Sequence, residues 1–381
     1  MRTRLTSIAL RGFKTFADLA DDHAFEVYDL NVLIGPNGAG KSNFISFFRL
    51  LSWALTPPGK LQEYLGRQGG ASSILTDGPG NTREITAHLE LKTDAGENEY
   101  AFRLAYAADD TLIFTEEKYR FIGQDHASGM PWRVMAVGQR EAQIVRESEA
   151  GNQTARVIHN LLRRMVVYQF HNTSETARIR GKWDKEDGRY LKEDGANLAS
   201  VLYRLKNNEP LYYARIVKTI RLILPFFEEF ELEPEYGSLL LRWREGGSDR
   251  IFNASQAADG MLRVMALVTL LSLPEADLPD VLILDEPELG LHPAAIAIIG
   301  GLIRNVSTQI QVIVATQSLP LVDCFEPQDI VVVDRGYDGW YARRDGRYSR
   351  LKRLDRASLE DWLDEYSLSE LWEKNVLGGR P

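Results

Sequence analysis

Gly35-Pro36-Asn37-Gly38-Ala39-Gly40-Lys41-Ser42 has the spacing G-x-x-x-x-G-K-[ST], and each residue type in it has a physical task. The glycines let successive backbone N–H groups curl around phosphate oxygens, and a helix starting at Lys41 adds its positive dipole end. Lys41 reaches the β- and γ-phosphates, Ser42 offers a hydroxyl to Mg²⁺, and Asn43 extends the nucleotide-binding run into the helix. A second group of the right chemistry lies far along the chain. Val281-Leu282-Ile283-Leu284-Asp285-Glu286 reads as a buried strand with two carboxylates at its C-terminal end, where α/β sheets bind ligands. Asp285 is placed to hold the Mg²⁺ shell, and Glu286 to polarise an attacking water as general base. Together the two segments predict binding and hydrolysis of ATP.

Several elements must position these residues. The apolar run Leu30–Ile34 precedes the glycine loop as a strand, and a helix is expected from Lys41 to about Leu55. Residues 56–80 are rich in Gly, Pro and Ser and read as a mobile loop with room for one short helix. Alternating segments between 82 and 147 predict an antiparallel meander. Asn197–Lys206 and Leu211–Phe227 carry apolar residues at helical spacing and read as a helical lid or arm. A hairpin around Glu245-Gly246-Gly247 leads into a renewed α/β rhythm: helix 257–273, strand 281–284, helix 293–305, then strands 310–315 and 329–334. The expected fold is therefore α/β, with a mixed sheet and flanking helices split by a β-meander and a helical insertion. The boundaries run 1–170 for the N-terminal half of the core, 171–236 for the lid, and 237–381 for the C-terminal half.

The segment Asp285-Glu286-Pro287-Glu288-Leu289-Gly290-Leu291-His292-Pro293 resembles the Walker B and D-loop region of ABC-type P-loop ATPases in the RecF, SMC and OLD-nuclease group. Leu10-Arg11-Gly12-Phe13-Lys14-Thr15-Phe16 is similar to the first hairpin of chromosome-maintenance head domains. The run Leu371–Pro381 resembles the ending of compact, stand-alone bacterial ATPases of the same group. The resemblance implies a signature segment before Walker B, and Ser255-Gln256-Ala257-Ala258-Asp259-Gly260-Met261-Leu262-Arg263 occupies its place. There a serine and a glycine N–H cap the γ-phosphate held by the opposite subunit. Gly260 matches; alanine stands at 258 where serine is expected, and Ser255 is the substitute at hand. The switch position, usually histidine, is Gln317 in Ala315-Thr316-Gln317-Ser318, a side chain that hydrogen-bonds but carries no proton in the same way. Gln169 and His171, in Tyr168-Gln169-Phe170-His171, are both candidates for the Q-loop. His292 is expected to shape a dimer contact, and no His/Cys cluster has metal-ligand spacing, which leaves Mg²⁺ as the metal implied.

Composition narrows the partners. The formal net charge of −9 over 381 residues excludes a wholly basic surface, so nucleic acid would need a local positive patch. Two stretches offer one. Arg163 and Arg164 with Arg178, Arg180 and Lys182 form the first. The second runs Arg335, Arg343, Arg344, Arg347, Arg350, Lys352, Arg353 and Arg356, interleaved with Trp340, Tyr341 and Tyr348; a solvated hairpin face explains it equally well. Arg11 and Arg67 are further arginines that a nucleotide could use. The single cysteine, Cys324, fits a reducing cytoplasm and a small structural side chain. The apolar runs fall short of the roughly 20 residues of a membrane span, and the chain is expected to be cytoplasmic without membrane contact. Sustained heptads are lacking, and about 60 residues follow the switch segment, too few for the TOPRIM nuclease of OLD-type proteins.

These features lead to an ATP-gated homodimer whose two Mg·ATP are sandwiched against the partner's Gly260 region. The expected work is DNA-linked, in repair or anti-phage defence, controlling a separately encoded effector such as a nuclease. The alternative is a slowly hydrolysing nucleotide switch or assembly scaffold without DNA contact; a transporter subunit is more remote.

Overall fold

In the computed structural model, the residues described are 3–19, 24–56, 60–123, 130–135, 137–335 and 348–379. They fall into two compact units, one of residues 1–166 with 327–381 and one of residues 167–326.

The first unit is built on an antiparallel sheet in the strand order Phe16–Asp18, Arg4–Phe13, Glu84–Thr93, Gly96–Ala107, Thr111–Gly123, Arg133–Val134, with Phe25–Glu26 also paired to Arg4–Phe13. The expected meander is its centre. Along Glu84–Thr93 the side chains Ile85, Ala87, Leu89 and Leu91 are buried and alternate with more accessible ones, the period-2 pattern of a sheet with one face on a core. Onto that core packs the helix Lys41–Ala54. Its Phe44, Phe47 and Phe48, at i, i+3 and i+4, form a chain of tilted and edge-on ring contacts with Phe13, Phe16 and Phe25. Each such contact contributes about 0.5–1.5 kcal/mol beyond area burial. The same unit holds the strand Leu30–Ile34, buried throughout. It runs parallel to Ile330–Asp334 in the register Val32↔Ile330 to Ile34↔Val332, and Ile330–Asp334 in turn pairs antiparallel with Arg350–Arg353.

Residues 56–80 hold the one short helix for which the composition left room. They contain the helix Leu61–Gln68 and a short 3₁₀ turn, Ala71–Ser73. Leu61, Tyr64 and Leu65 sit at i, i+3 and i+4 and are buried, so packing overrides the Gly- and Pro-rich flanks.

One carboxylate of this unit lies entirely out of solvent. Glu117 accepts hydrogen bonds from the Tyr100 hydroxyl at 2.8 Å, the Gln143 N–H at 2.7 Å and the Ile144 N–H at 3.1 Å. Burial raises its pKa above the usual carboxylate value, and the three hydrogen bonds offset this only in part. A raised folded-state pKa means that the folded chain holds this proton more tightly than the unfolded chain. The contribution is full below the unfolded value, about 4.3, and is lost as pH rises through the folded one. Thermal melts across that interval are expected to show this decline, and Glu117→Gln is expected to flatten it; an unchanged profile in the variant would assign the decline to other groups.

The second unit contains the parallel pair Val281–Asp285 and Gln311–Ala315, in register Val281↔Gln311 to Asp285↔Ala315. The helices Asp259–Leu270 and Pro293–Ser307 belong to it, as do Leu198–Asn208 and Pro210–Ile223. The last ends before Phe227, because Pro225 cannot continue a helix, and Phe227–Phe230 is instead a strand beside Arg242–Glu245. Arg204 ties the helical hairpin together by bonding Glu209 at 2.7 Å, and it also pairs with Asp277. Residues 171–197 are mostly irregular, with one 3₁₀ turn at Arg178–Arg180. Gly300 packs against Cys324, where a Cβ would come within 2.6 Å of Sγ, and burial raises the pKa of that thiol.

Candidate nucleotide site

In the first unit the phosphate loop joins the buried strand Leu30–Ile34 to the helix Lys41–Ala54. Gly35, Gly38 and Gly40 have φ of 153°, 79° and 119°, and a Cβ on Gly35 would lie 2.2 Å from the carbonyl oxygen of Val333. Only glycine meets both demands. The helix is capped by Gly40 without any side-chain hydrogen bond, and no acid occupies its first turn. A helix start of this kind, with its positive dipole end and no acid beside it, suits an anion. Lys41 is buried, with Nζ donating to the carbonyls of Gly35 at 2.5 Å and Pro36 at 3.1 Å. Asn37, Gly38 and Ser42 are exposed, while Pro36 and Asn43 are half-buried and Ala39 buried.

In the second unit the strand Val281–Asp285 delivers its carboxylates at its C-terminal end, with Asp285 buried. Glu286 has φ +45°, a left-handed conformation that costs a non-glycine residue about 1 kcal/mol or more. Its N–H donates to the Ala315 carbonyl at 2.8 Å, and its Oε1 accepts from Gln317 Nε2 at 2.7 Å. Gln169 Nε2 stands 3.4 Å from Asp285 Oδ2 and 3.1 Å from His171 Nδ1. With Nδ1 accepting, His171 carries its proton on Nε2, which then donates to the Glu286 carbonyl at 3.3 Å. Gln169, His171, Asp285, Glu286 and Gln317 are therefore drawn together.

Two residues around this cluster were given no role by the sequence. Glu288 is buried and accepts from Thr316 Oγ1 at 2.5 Å and from the Gln317 N–H at 3.4 Å. It thereby joins the turn after Walker B to the switch segment, and burial raises its pKa. Arg263 donates to the carbonyls of Leu289 at 2.8 Å, His171 at 3.0 Å and Phe170 at 3.3 Å. It gathers the segments at Phe170–His171 and Leu289 against the helix Asp259–Leu270. A motif that quotes Glu288 and Arg263 gives no hint of these partners, because each spans tens of residues.

Gly260 opens the helix Asp259–Leu270, where a Cβ would lie 2.9 Å from the Gly290 carbonyl oxygen. Ala258 makes no side-chain cap. Ser255 donates its hydroxyl to Asn253 at 2.5 Å, within a capping box closed by Gln256. His292 caps the helix Pro293–Ser307 by accepting from the Ala294 N–H.

Most described arginines of the basic stretches have partners inside the fold. Arg180 is nearly buried and bonds Thr173 at 2.9 Å, Ala257 at 3.2 Å, Asp259 at 2.9 Å and also Ala254, which clamps the signature segment. Arg178 pairs with Asp194, and Lys182 with Glu235. Arg353 donates to Asn31 at 2.6 Å, to the carbonyls of Glu26 at 2.9 Å and Gln328 at 3.0 Å, and lies 3.9 Å over the Tyr28 ring. Arg350 and Lys352 are exposed; Arg343, Arg344, Arg347, Trp340 and Tyr341 lie outside the described residues. Arg11 pairs with Asp18, and Arg67 pairs with Glu63 over Trp53.

Among the described residues, no group of three or more His, Cys, Asp or Glu is placed to hold a metal by itself. Ser42 carries a hydroxyl and Asp285 a carboxylate, oxygen types of the kind Mg²⁺ takes while keeping waters and phosphates. None of the helices of the described residues is long and apolar enough to cross a membrane.

A glycine-braced phosphate loop and a strand-end acidic pair, on an α/β scaffold, define a P-loop ATPase of the ABC type in the SMC and RecF-like group. The chain belongs to the family described as "AAA domain, putative AbiEii toxin, Type IV TA system", which matches residues 30–128 and 144–323. Its fold is that of Smc heads. One similar solved structure is the Smc head bound to the C-winged helix domain of ScpA, with a TM-score of 0.59 and 14% identity over 94% of this chain and 99% of that one. Another is the Smc head domain with an extended coiled coil bound to the C-terminal domain of ScpA derived from Pyrococcus furiosus. It gives a TM-score of 0.56 and 14% identity over 95% of this chain and 99% of that one. No curated protein matches the chain.

Proposed function

We propose that this chain binds and hydrolyses Mg·ATP and uses the nucleotide to close a homodimer that acts on DNA and governs a separately encoded effector. The observation that carries the hydrolytic part is the contact of Gln317 with Glu286 at 2.7 Å, beside Gln169 near Asp285. The base candidate is held by a neutral donor, which orients the carboxylate without taking its charge. Lys41 and the loop N–H groups hold the β- and γ-phosphates, and Ser42 and Asp285 are the oxygens offered to Mg²⁺. The metal's contribution is to neutralise charge on the phosphates. Glu286 accepts the proton of the attacking water, and Gln317 keeps that carboxylate aimed.

Closure by ATP draws on the signature segment, where Ser255, Gln256, Ala258 and Asp259 are exposed while Arg180 fixes the backbone beneath them. A rigid, accessible helix start is what a γ-phosphate on an opposite subunit requires. The DNA link draws on the likeness to Smc heads and on the exposed Arg350 and Lys352. The effector link draws on the partner-bound state of those heads and on the toxin–antitoxin wording of the family description.

The switch reading, without DNA, is favoured by one observation: Gln317 is already engaged by Glu286 and carries no titratable proton. DNA binding by the Glu286→Gln protein separates the two. ATP-dependent binding that weakens steeply with salt, as counterion release demands, is expected on the DNA-linked reading. Equal absence of binding with and without Mg·ATP would leave the switch.

A further inference from the structure

We infer that Thr15 and Ser349 are positioning residues for the phosphate loop, tying its Ala39 carbonyl to the first turn of the helix that follows. The inference rests on the nucleotide-binding reading and names residues that reading does not use. Both also lie outside residues 30–128 and 144–323, which the family match covers.

Ser349 is 2% exposed, and its Oγ contacts the Ala39 carbonyl oxygen and stands 2.7 Å from Thr15 Oγ1. Asn43 Nδ2 donates to Thr15 Oγ1 at 3.0 Å, and the Ser349 N–H donates to the Thr15 carbonyl at 2.8 Å. Ser349 is the donor to both oxygens beside it. A carbonyl only accepts and each hydroxyl has one proton. Ser349 Oγ therefore shares its proton between the Ala39 carbonyl and Thr15 Oγ1, and Thr15 Oγ1 also accepts from the Asn43 amide. The four groups thus form one hydrogen-bonded cluster at the Ala39 carbonyl.

This brace has a consequence for the groups that meet phosphate. In a trans peptide the carbonyl of Ala39 and the N–H of Gly40 point in opposite directions. Pinning the carbonyl onto Ser349 aims the Gly40 N–H away from the brace. The same closeness explains the glycine at 40 a second time, since a Cβ there would lie 2.2 Å from Ser349 Oγ and 2.9 Å from Thr15 Oγ1. Asn43, counted with the loop by its position, acts here through Thr15.

The test uses the full chain and a fluorescent ATP analogue with Mg²⁺, with Kd and Tm measured for each variant. Ser349→Ala is expected to weaken binding about tenfold, the scale of one buried hydrogen bond lost to a carbonyl. Thr15→Val keeps the branched shape without the hydroxyl and is expected to do the same, while Thr15→Ser should restore wild-type affinity. Because the two hydroxyls belong to one cluster, the double variant is expected to lose no more than either single one. Wild-type affinity in Ser349→Ala with only a lowered Tm would overturn the inference, as would additive losses. A wild-type protein that binds no nucleotide would instead sink the reading beneath it.

Discussion

Lys41→Ala is expected to lose Mg·ATP binding, with Kd raised about 100-fold or more in a titration with labelled nucleotide. Lys41 is buried, with its charge resting on the carbonyls of Gly35 and Pro36. Those carbonyls bend the loop, and the ammonium is the one full positive charge placed within it by the sequence. Its removal deletes charge-assisted hydrogen bonds to the phosphates, each about twice as strong as a neutral one, and leaves the two carbonyls without this donor. Two such losses amount to about 3 kcal/mol, or a factor of about 100 in Kd. A variant that melts near the wild-type temperature and still binds ATP tightly would refute the assignment of this loop.

Glu286→Gln is expected to slow hydrolysis by about 10²–10⁴, the usual worth of a general base, and to accumulate an ATP-bound dimer. The substitution is unusually clean at this position. Glutamine keeps the carbon skeleton, which limits any change in the strain at φ +45°, and its carbonyl oxygen still accepts from Gln317 Nε2. Only the basicity is lost. Light scattering at saturating Mg·ATP is the measurement: a dimer that dissolves when nucleotide is removed is expected. A monomer under those conditions would count against closure by ATP, while undiminished turnover would remove Glu286 from the chemistry.

The local structure of the glycine loop and of the apolar strand before the acidic pair was legible, because both rest on residue types with few alternatives. Gly35 and Gly40 have positive φ and close neighbours that a Cβ would strike, and Val281–Asp285 is buried throughout. The ABC-type scaffold followed from the same residues. Other features depend on packing that spacing does not encode. Residues 56–80 read by composition as a loop with room for one short helix, and it is the burial of Leu61, Tyr64 and Leu65 that places that helix. Arg180 and Arg353 read as cations for a polyanion, but their partners are carbonyls and side chains within the fold. Charge counted along a sequence does not reveal whether a guanidinium faces solvent or satisfies buried oxygens. Glu288 and Arg263 were visible as letters, but their roles depend on Thr316, Gln317, His171 and Leu289 arriving beside them.

The strand Leu30–Ile34 finds its parallel neighbour in Ile330–Asp334, and Gly35 lies against Val333. These partners are separated by ~300 residues, and contacts of that span are costly to close and late to form. During synthesis at about 5–20 residues per second, the ribosome exposes the glycine loop some 15–60 s before the strand that walls it. Through that interval the first unit carries an apolar strand with an unpaired edge, the kind of surface that chaperones shield and that aggregates when they do not. The wall behind Gly35 is thus a late event in the birth of this chain, and a nascent chain stalled before Ile330 is expected to present the loop's sequence without that neighbour.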